Sequence, residues 1–111
     1  DEIGSGKGLG YNLNYPMPRD TSFTQWQQSL TAALAELDQF SPQYLIVSLG
    51  VDTFENDPIS FFKLTTADYF TTGAMISELN IPTLFVMEGG YDIDEVGINV
   101  LEVLKGFESV K

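Results

Sequence analysis

The sequence predicts an α/β fold, with helices packed on the faces of a parallel sheet, and three observations carry that expectation. Residues 44–49 and 82–87 are short, almost unbroken runs rich in β-branched and aromatic side chains, the pattern of strands buried in a parallel sheet. Segments of helical period alternate with these runs. Each run also breaks through glycine onto one polar residue, Asp52 or Tyr91, five positions beyond the valine (Val47 or Val86) that ends its apolar core. Open parallel sheets place their chemistry just past the carboxyl ends of the strands. Asp52 and Tyr91 are therefore the candidate site residues.

Residues 1–10 alternate glycine too regularly to pack and read as a loop. Their spacing matches neither G-x-G-x-x-G nor the Walker pattern, and the loop precedes a strand instead of joining strand to helix, which excludes a phosphate cradle. Residues 11–15 alternate and stop at Pro16 and Pro18, which predicts a short first strand. From Ser22 the period becomes helical, with Phe23, Trp26, Leu30, Ala33, Leu34 and Leu37 on one stripe. Ser22 and Gln25 stand in capping-box relation, and the helix should end near Phe40, before Pro42. After the strand at 44–49, residues 50–64 form an irregular segment containing Asp57-Pro58, too long for an ordinary strand-to-helix connection and so a candidate functional loop. Thr65 or Thr66 opens a second helix running through Leu79, with Asp68 near its first turn. After the strand at 82–87, Asp92 and Glu95 predict the cap of a third helix with a stripe of Ile93, Val96, Val100, Leu101 and Leu104.

At 111 residues the default is one domain. Sixteen acidic residues against five basic ones give a net charge of −11, which repels phosphate backbones and argues against DNA or RNA as partners. That charge favours cationic substrates, although many soluble proteins are acidic for solubility alone. No apolar run approaches a bilayer span and no signal peptide is evident, so the expectation is a cytoplasmic protein without a membrane partner. The chain has no histidine and no cysteine, so it offers no imidazole or thiolate of its own. A parallel sheet of three strands is also thin for strands this apolar. Either an amino-terminal part of a larger domain or another protein chain should cover the sheet edge.

On the residues alone, Asp52 fits a loop aspartate bonded to its own backbone as well as a functional carboxylate. Tyr91 fits an aromatic lid as well as an oxyanion donor at the positive end of the third helix. A wider pattern narrows the choice. Ser48-Leu-Gly-Val-Asp-Thr-Phe-Glu-Asn-Asp-Pro58, the helix start Leu64-Thr-Thr-x-x-Tyr69, and Glu88-Gly-Gly-Tyr-Asp92 closely resemble the carboxyl-terminal third of the histone deacetylase and acetylpolyamine amidohydrolase family. Gly10-Tyr-Asn-Leu-Asn-Tyr-Pro16 resembles the strand that follows that family's metal-binding segments. The bacterial polyamine-type branch is the more similar, since eukaryotic histone enzymes tend to have glycine where this chain has Glu88.

The resemblance implies a three-layer α/β/α, arginase/deacetylase-like fold of which residues 1–111 are the carboxyl-terminal segment of a single domain. It implies that Asp52 is one of three protein ligands to a catalytic zinc and that Tyr91 is the phenol polarising the acetyl carbonyl. Gly89 and Gly90 would border the substrate channel, and the Tyr11 backbone carbonyl would contact a potassium ion. The substrate would be an acetylated cationic small molecule or an acetylated lysine side chain. The family's remaining zinc ligands and its histidine pair lie upstream of these motifs. The isolated segment is therefore expected to be inactive and to hold zinc weakly or not at all, because an open zinc site needs three protein ligands. Two alternatives stand beside this one: a non-catalytic binding or assembly module of the same ancestry, and a flavodoxin-like domain binding a small ligand.

Overall fold

Two strands paired in parallel organise the chain, whose computed structural model describes residues 2–110. Strand β1 (Leu45–Leu49) lies beside β2 (Thr83–Met87) in a register running from Leu45↔Thr83 to Leu49↔Met87. Backbone pairing continues past both carboxyl ends. The Glu88 N–H donates to the Leu49 carbonyl at 2.9 Å, and the Val51 N–H to the Gly89 carbonyl at 2.8 Å.

Helix α1 (Phe23–Phe40) precedes β1, α2 (Thr66–Ser77) joins the strands, and α3 (Val96–Ser109) follows β2. Ser22 caps α1 as its sequence predicts: its Oγ accepts the Gln25 N–H, and Gln25 Oε1 accepts the Ser22 N–H at 3.1 Å. Ser41 ends the helix in the left-handed conformation, just before Pro42. At the start of α2 the Asp68 carboxylate accepts both the N–H and the hydroxyl of Thr65, and its charge lies at the positive end of that helix.

The core lies on one face of the sheet, where Leu49, Val51, Phe54, Leu64, Tyr69 and Val103 are buried together, with Phe85 set edge-on to Phe107 of α3. Helices α2 and α3 close over this core in tight contact because glycine faces backbone on both sides. A Cβ at Gly73 would overlap the Val103 carbonyl, and one at Gly106 would overlap the Phe70 carbonyl. The opposite face of the sheet is open and apolar, with Ile46, Leu84 and Val86 exposed.

Three sequence expectations change. Residues 11–15 form no strand; they are irregular and mostly exposed, so the sheet has two strands among the described residues instead of three. Alternation makes a strand possible, but only a neighbouring backbone completes one, and here a groove of about 690 Å³ separates this arm from α1. Helix α3 starts three residues later than a cap at Asp92 predicts, with Glu95 as the cap residue; Asp92 Oδ1 accepts the Glu95 N–H at 3.2 Å and organises the entry turn. The face of α3 that is buried also differs. Val96 and Val100 pack on the core, but Ile93, Leu101 and Leu104 are exposed, while Asn99, Val103, Gly106 and Phe107 are buried. Close approach at Gly106 chooses that face over the more apolar one.

The glycine contact makes a two-sided prediction. Gly73→Ala and Gly106→Ala should each destabilise the fold by about 1–3 kcal/mol, because neither backbone can yield without separating the helices. Gly97→Ala, in the same α3 but facing open space, should instead stabilise it by about 0.5–1 kcal/mol. Urea unfolding midpoints of the three variants measure this difference in sign.

Candidate active site

Parallel pairing forces β1 and β2 to leave the sheet at the same end, so the segments after Leu49 and Met87 run side by side. Extending the register puts Asp52 level with Gly90, one residue from Tyr91. The two sequence-predicted residues therefore share one end of the sheet.

The Asp52 side chain is half-buried and folds over two glycines. A Cβ at Gly50 would stand 2.7 Å from Asp52 Oδ1, and one at Gly89 would stand 2.5 Å from Oδ2, so any side chain at either position would displace the carboxylate. No hydrogen-bond donor among the described residues reaches that carboxylate. Its lone pairs therefore carry no hydrogen bond from the described residues. Gly90 adopts φ +146°, and a Cβ there would collide with the methyl groups of Val51 and Val96. Gly89 and Gly90 thus let the backbone pass close to Asp52 and set up the turn into Tyr91, whose ring is 48% exposed.

Two residues that sequence reasoning did not single out hold this arrangement. Asp57, 7% exposed, accepts the Ile59 and Ser60 N–H groups on Oδ1 and the Tyr91 N–H on Oδ2, at 2.9–3.0 Å. Burial pushes its carboxyl pKa upward, but the N–H groups of Ile59, Tyr91 and Ser60 together outweigh that and hold it below the ordinary 3.8. Its sequence signals were the Asp57-Pro58 pair in the long loop and its place in the Ser48–Pro58 motif, neither of which gave it a role. Tyr69 on α2 is buried and donates its phenol hydrogen to the Val51 carbonyl at 3.0 Å, with Thr53 Oγ1 also at 3.0 Å. Burial raises its pKa well above the ordinary value. The Thr53 bond opposes that rise only in part, and the charges of Asp52, Asp57 and Asp68 add to it. Tyr69 is therefore a fixed neutral donor that anchors the backbone beside Asp52.

Tyr11 stands apart from this group. Its ring is exposed, sits edge-on to Phe40 at 6.1 Å, and lines the groove between the arm and α1, to which neither Asp52 nor Tyr91 contributes.

Carboxylate oxygen is a good ligand for zinc, and the free lone pairs of Asp52 suit one ligand position. Among the described residues, no three His, Cys, Asp or Glu side chains come together as a metal site. The donor set thus fits one ligand of a metal centre and not a complete centre. Chemically, the strand ends offer one unpaired anionic ligand and, one register position away, one exposed phenol.

A family described as "Histone deacetylase domain" matches residues 1–107. Acetylpolyamine amidohydrolase 2 of Pseudomonas aeruginosa is 51% identical over 110 residues, covering 99% of this chain and 32% of the relative. Acetylpolyamine amidohydrolase of Mycoplana ramosa is 52% identical over 106 residues, covering 96% and 31%. The crystal structure of acetylpolyamine aminohydrolase from Burkholderia pseudomallei superposes with a TM-score of 0.95 at 39% identity, over 98% of this chain and 32% of that one. The chain spans about a third of the length of these relatives.

The two anchors make opposite pH predictions. Asp57 has a lowered pKa, so its contribution to stability is complete above the ordinary 3.8 and is lost as pH falls through its folded value. Tyr69 has a raised pKa, so its contribution is complete below the ordinary 10.0 and is lost as pH rises through its folded value. Tyr69→Phe should cost about 1–3 kcal/mol by leaving the buried Val51 carbonyl without its phenol donor. It should also flatten the alkaline limb of the stability profile and leave the acid limb unchanged, as read by denaturant unfolding across pH.

Proposed function

Because the chain belongs to the histone deacetylase family, we propose that residues 1–111 are the carboxyl-terminal segment of a single deacetylase-like α/β domain. The complete protein hydrolyses the acetyl amide of a cationic amine, an acetylpolyamine or an acetylated lysine side chain. The names of its relatives support that substrate class, and a net charge of −11 suits a cationic substrate. One observation carries the proposal: an unpaired, half-buried carboxylate enclosed by two glycines, beside a glycine turn that presents a phenol.

In this mechanism Asp52 contributes one ligand to a zinc centre whose other ligands come from outside residues 1–111. When bound, the metal supplies Lewis acidity toward the acetyl carbonyl and lowers the pKa of water at neutral pH. Tyr91 donates its phenol hydrogen bond to the oxygen of that carbonyl as it gains negative charge, a donor fixed in advance by the turn behind it. Gly89 and Gly90 keep the channel wall free of side chains and leave the Asp52 carboxylate in place. The general base also comes from outside these residues, since the chain has no histidine. A potassium ion at the Tyr11 backbone carbonyl belongs to the same proposal and rests on the family resemblance.

In the complete protein, Asp52→Ala should remove the stoichiometric zinc and the deacetylase activity together. Tyr91→Phe should keep the zinc and lower kcat by about 10²–10³-fold. Full activity in either variant would overturn the assignment of that residue. Calorimetry on the isolated segment should show no stoichiometric zinc binding.

A further inference from the structure

Glycines at 89 and 90 solve one problem and create another. They let the turn pass under Asp52, but they leave the covalent backbone before Tyr91 with little conformational preference of its own. The Tyr91 ring is half exposed, and no hydrogen-bond partner for its phenol lies among the described residues. With no side-chain bond of its own, that phenol can reach only the directions that the backbone frame it grows from leaves open to its rotamers. Tyr91 has one hydrogen bond among the described residues, from its N–H to Asp57 Oδ2 at 2.9 Å. Asp57 lies 34 residues from Tyr91 along the chain, and the other oxygen of its carboxylate is held by the Ile59 and Ser60 N–H groups.

We propose that Asp57 is a positioning residue for Tyr91: its buried carboxylate locks the turn that aims the phenol at the substrate carbonyl. The inference rests on the role of Tyr91 given above. A carboxylate suits this task because N–H groups approach both of its oxygens. An asparagine has one acceptor oxygen, so its NH₂ would face either the Tyr91 N–H or the Ile59 and Ser60 pair, donor against donor. The loop needs only Oδ1 to close on itself. The Oδ2 bond connects it to the candidate site.

The test is a double-mutant cycle in the complete zinc-loaded enzyme, with N-acetyl-1,4-diaminobutane as the probe substrate. Asp57→Asn and Asp57→Glu should each lower kcat by about 10-fold or more, because a misplaced catalytic group loses rate steeply. KM and zinc content should stay within about 2-fold of the unsubstituted enzyme, and in a Tyr91→Phe background the same changes should cost less than about 3-fold. A kcat loss equally large in both backgrounds would mean general damage and overturn the proposal. So would an unchanged kcat in Asp57→Asn while Tyr91→Phe is impaired. A fully active Tyr91→Phe would instead overturn the role of Tyr91 itself. If neither Asp57 variant folds, hydrogen exchange in the unsubstituted enzyme decides. The Tyr91 amide should exchange at the rate of the Ile59 and Ser60 amides, and independent exchange would overturn the proposal.

Discussion

Pairing β1 with β2 in parallel makes both strands leave the sheet at the same end, and nearly everything else at the site depends on that. Antiparallel pairing of the same two strands would send Asp52 and Tyr91 to opposite ends of the sheet. The bond from the Val51 N–H to the Gly89 carbonyl carries the register past the last strand residues. It brings Gly89 against one oxygen of the Asp52 carboxylate, whose other oxygen lies against Gly50. Tyr69 and Asp57 then hold the two segments so aligned, one through the Val51 carbonyl and the other through the Tyr91 N–H.

What could be read from the sequence divides along the range of the interactions involved. The strands at 45–49 and 83–87, the Ser22 cap and the Thr65 start of α2 are specified by residues a few positions apart, and they appear where their patterns put them. The strand expected at 11–15 needed a partner that no local pattern can supply. The buried face of α3 was decided by Gly73 and Gly106, whose contribution is close approach and not hydrophobicity, so an apolar-stripe argument favoured Leu101 and Leu104. Asp52 and Tyr91 were legible because strand ends before glycine are recognisable. Asp57 and Tyr69 were not: one resembled a turn aspartate before proline and the other an aromatic at the start of a helix, and each acts on residues distant in sequence.

The sheet has one open face, and at its carboxyl end the Asp52 carboxylate has no donor among the described residues. Parallel sheets are stable when both faces are covered, yet Ile46, Leu84 and Val86 face away from the core, and Leu101 and Leu104 add apolar surface on α3. The radius of gyration, 14.3 Å, exceeds the roughly 13 Å of a compact chain of this length, consistent with an arm standing off from the sheet. Relatives three times as long have chain to spare for these surfaces. In the proposed domain, chain outside residues 1–111 would supply both the cover for this face and the remaining ligands.

Directional polar anchors, and not more apolar packing, secure the site. Hydrophobic contact is non-directional and tolerates small rotations, which is acceptable for Phe85 against Phe107 but not for a phenol that must meet one oxygen. A buried carboxylate fixes direction through its lone pairs. Its desolvation cost is met only when N–H groups reach both oxygens, as Ile59, Ser60 and Tyr91 do at Asp57. If any one of them is withdrawn, the carboxylate loses a bond that favours its charged form. The three N–H groups are therefore energetically tied to one another through a single side chain. A loop and a turn far apart in sequence thus respond as one unit, and the glycines that let Asp52 sit open do not leave Tyr91 loose.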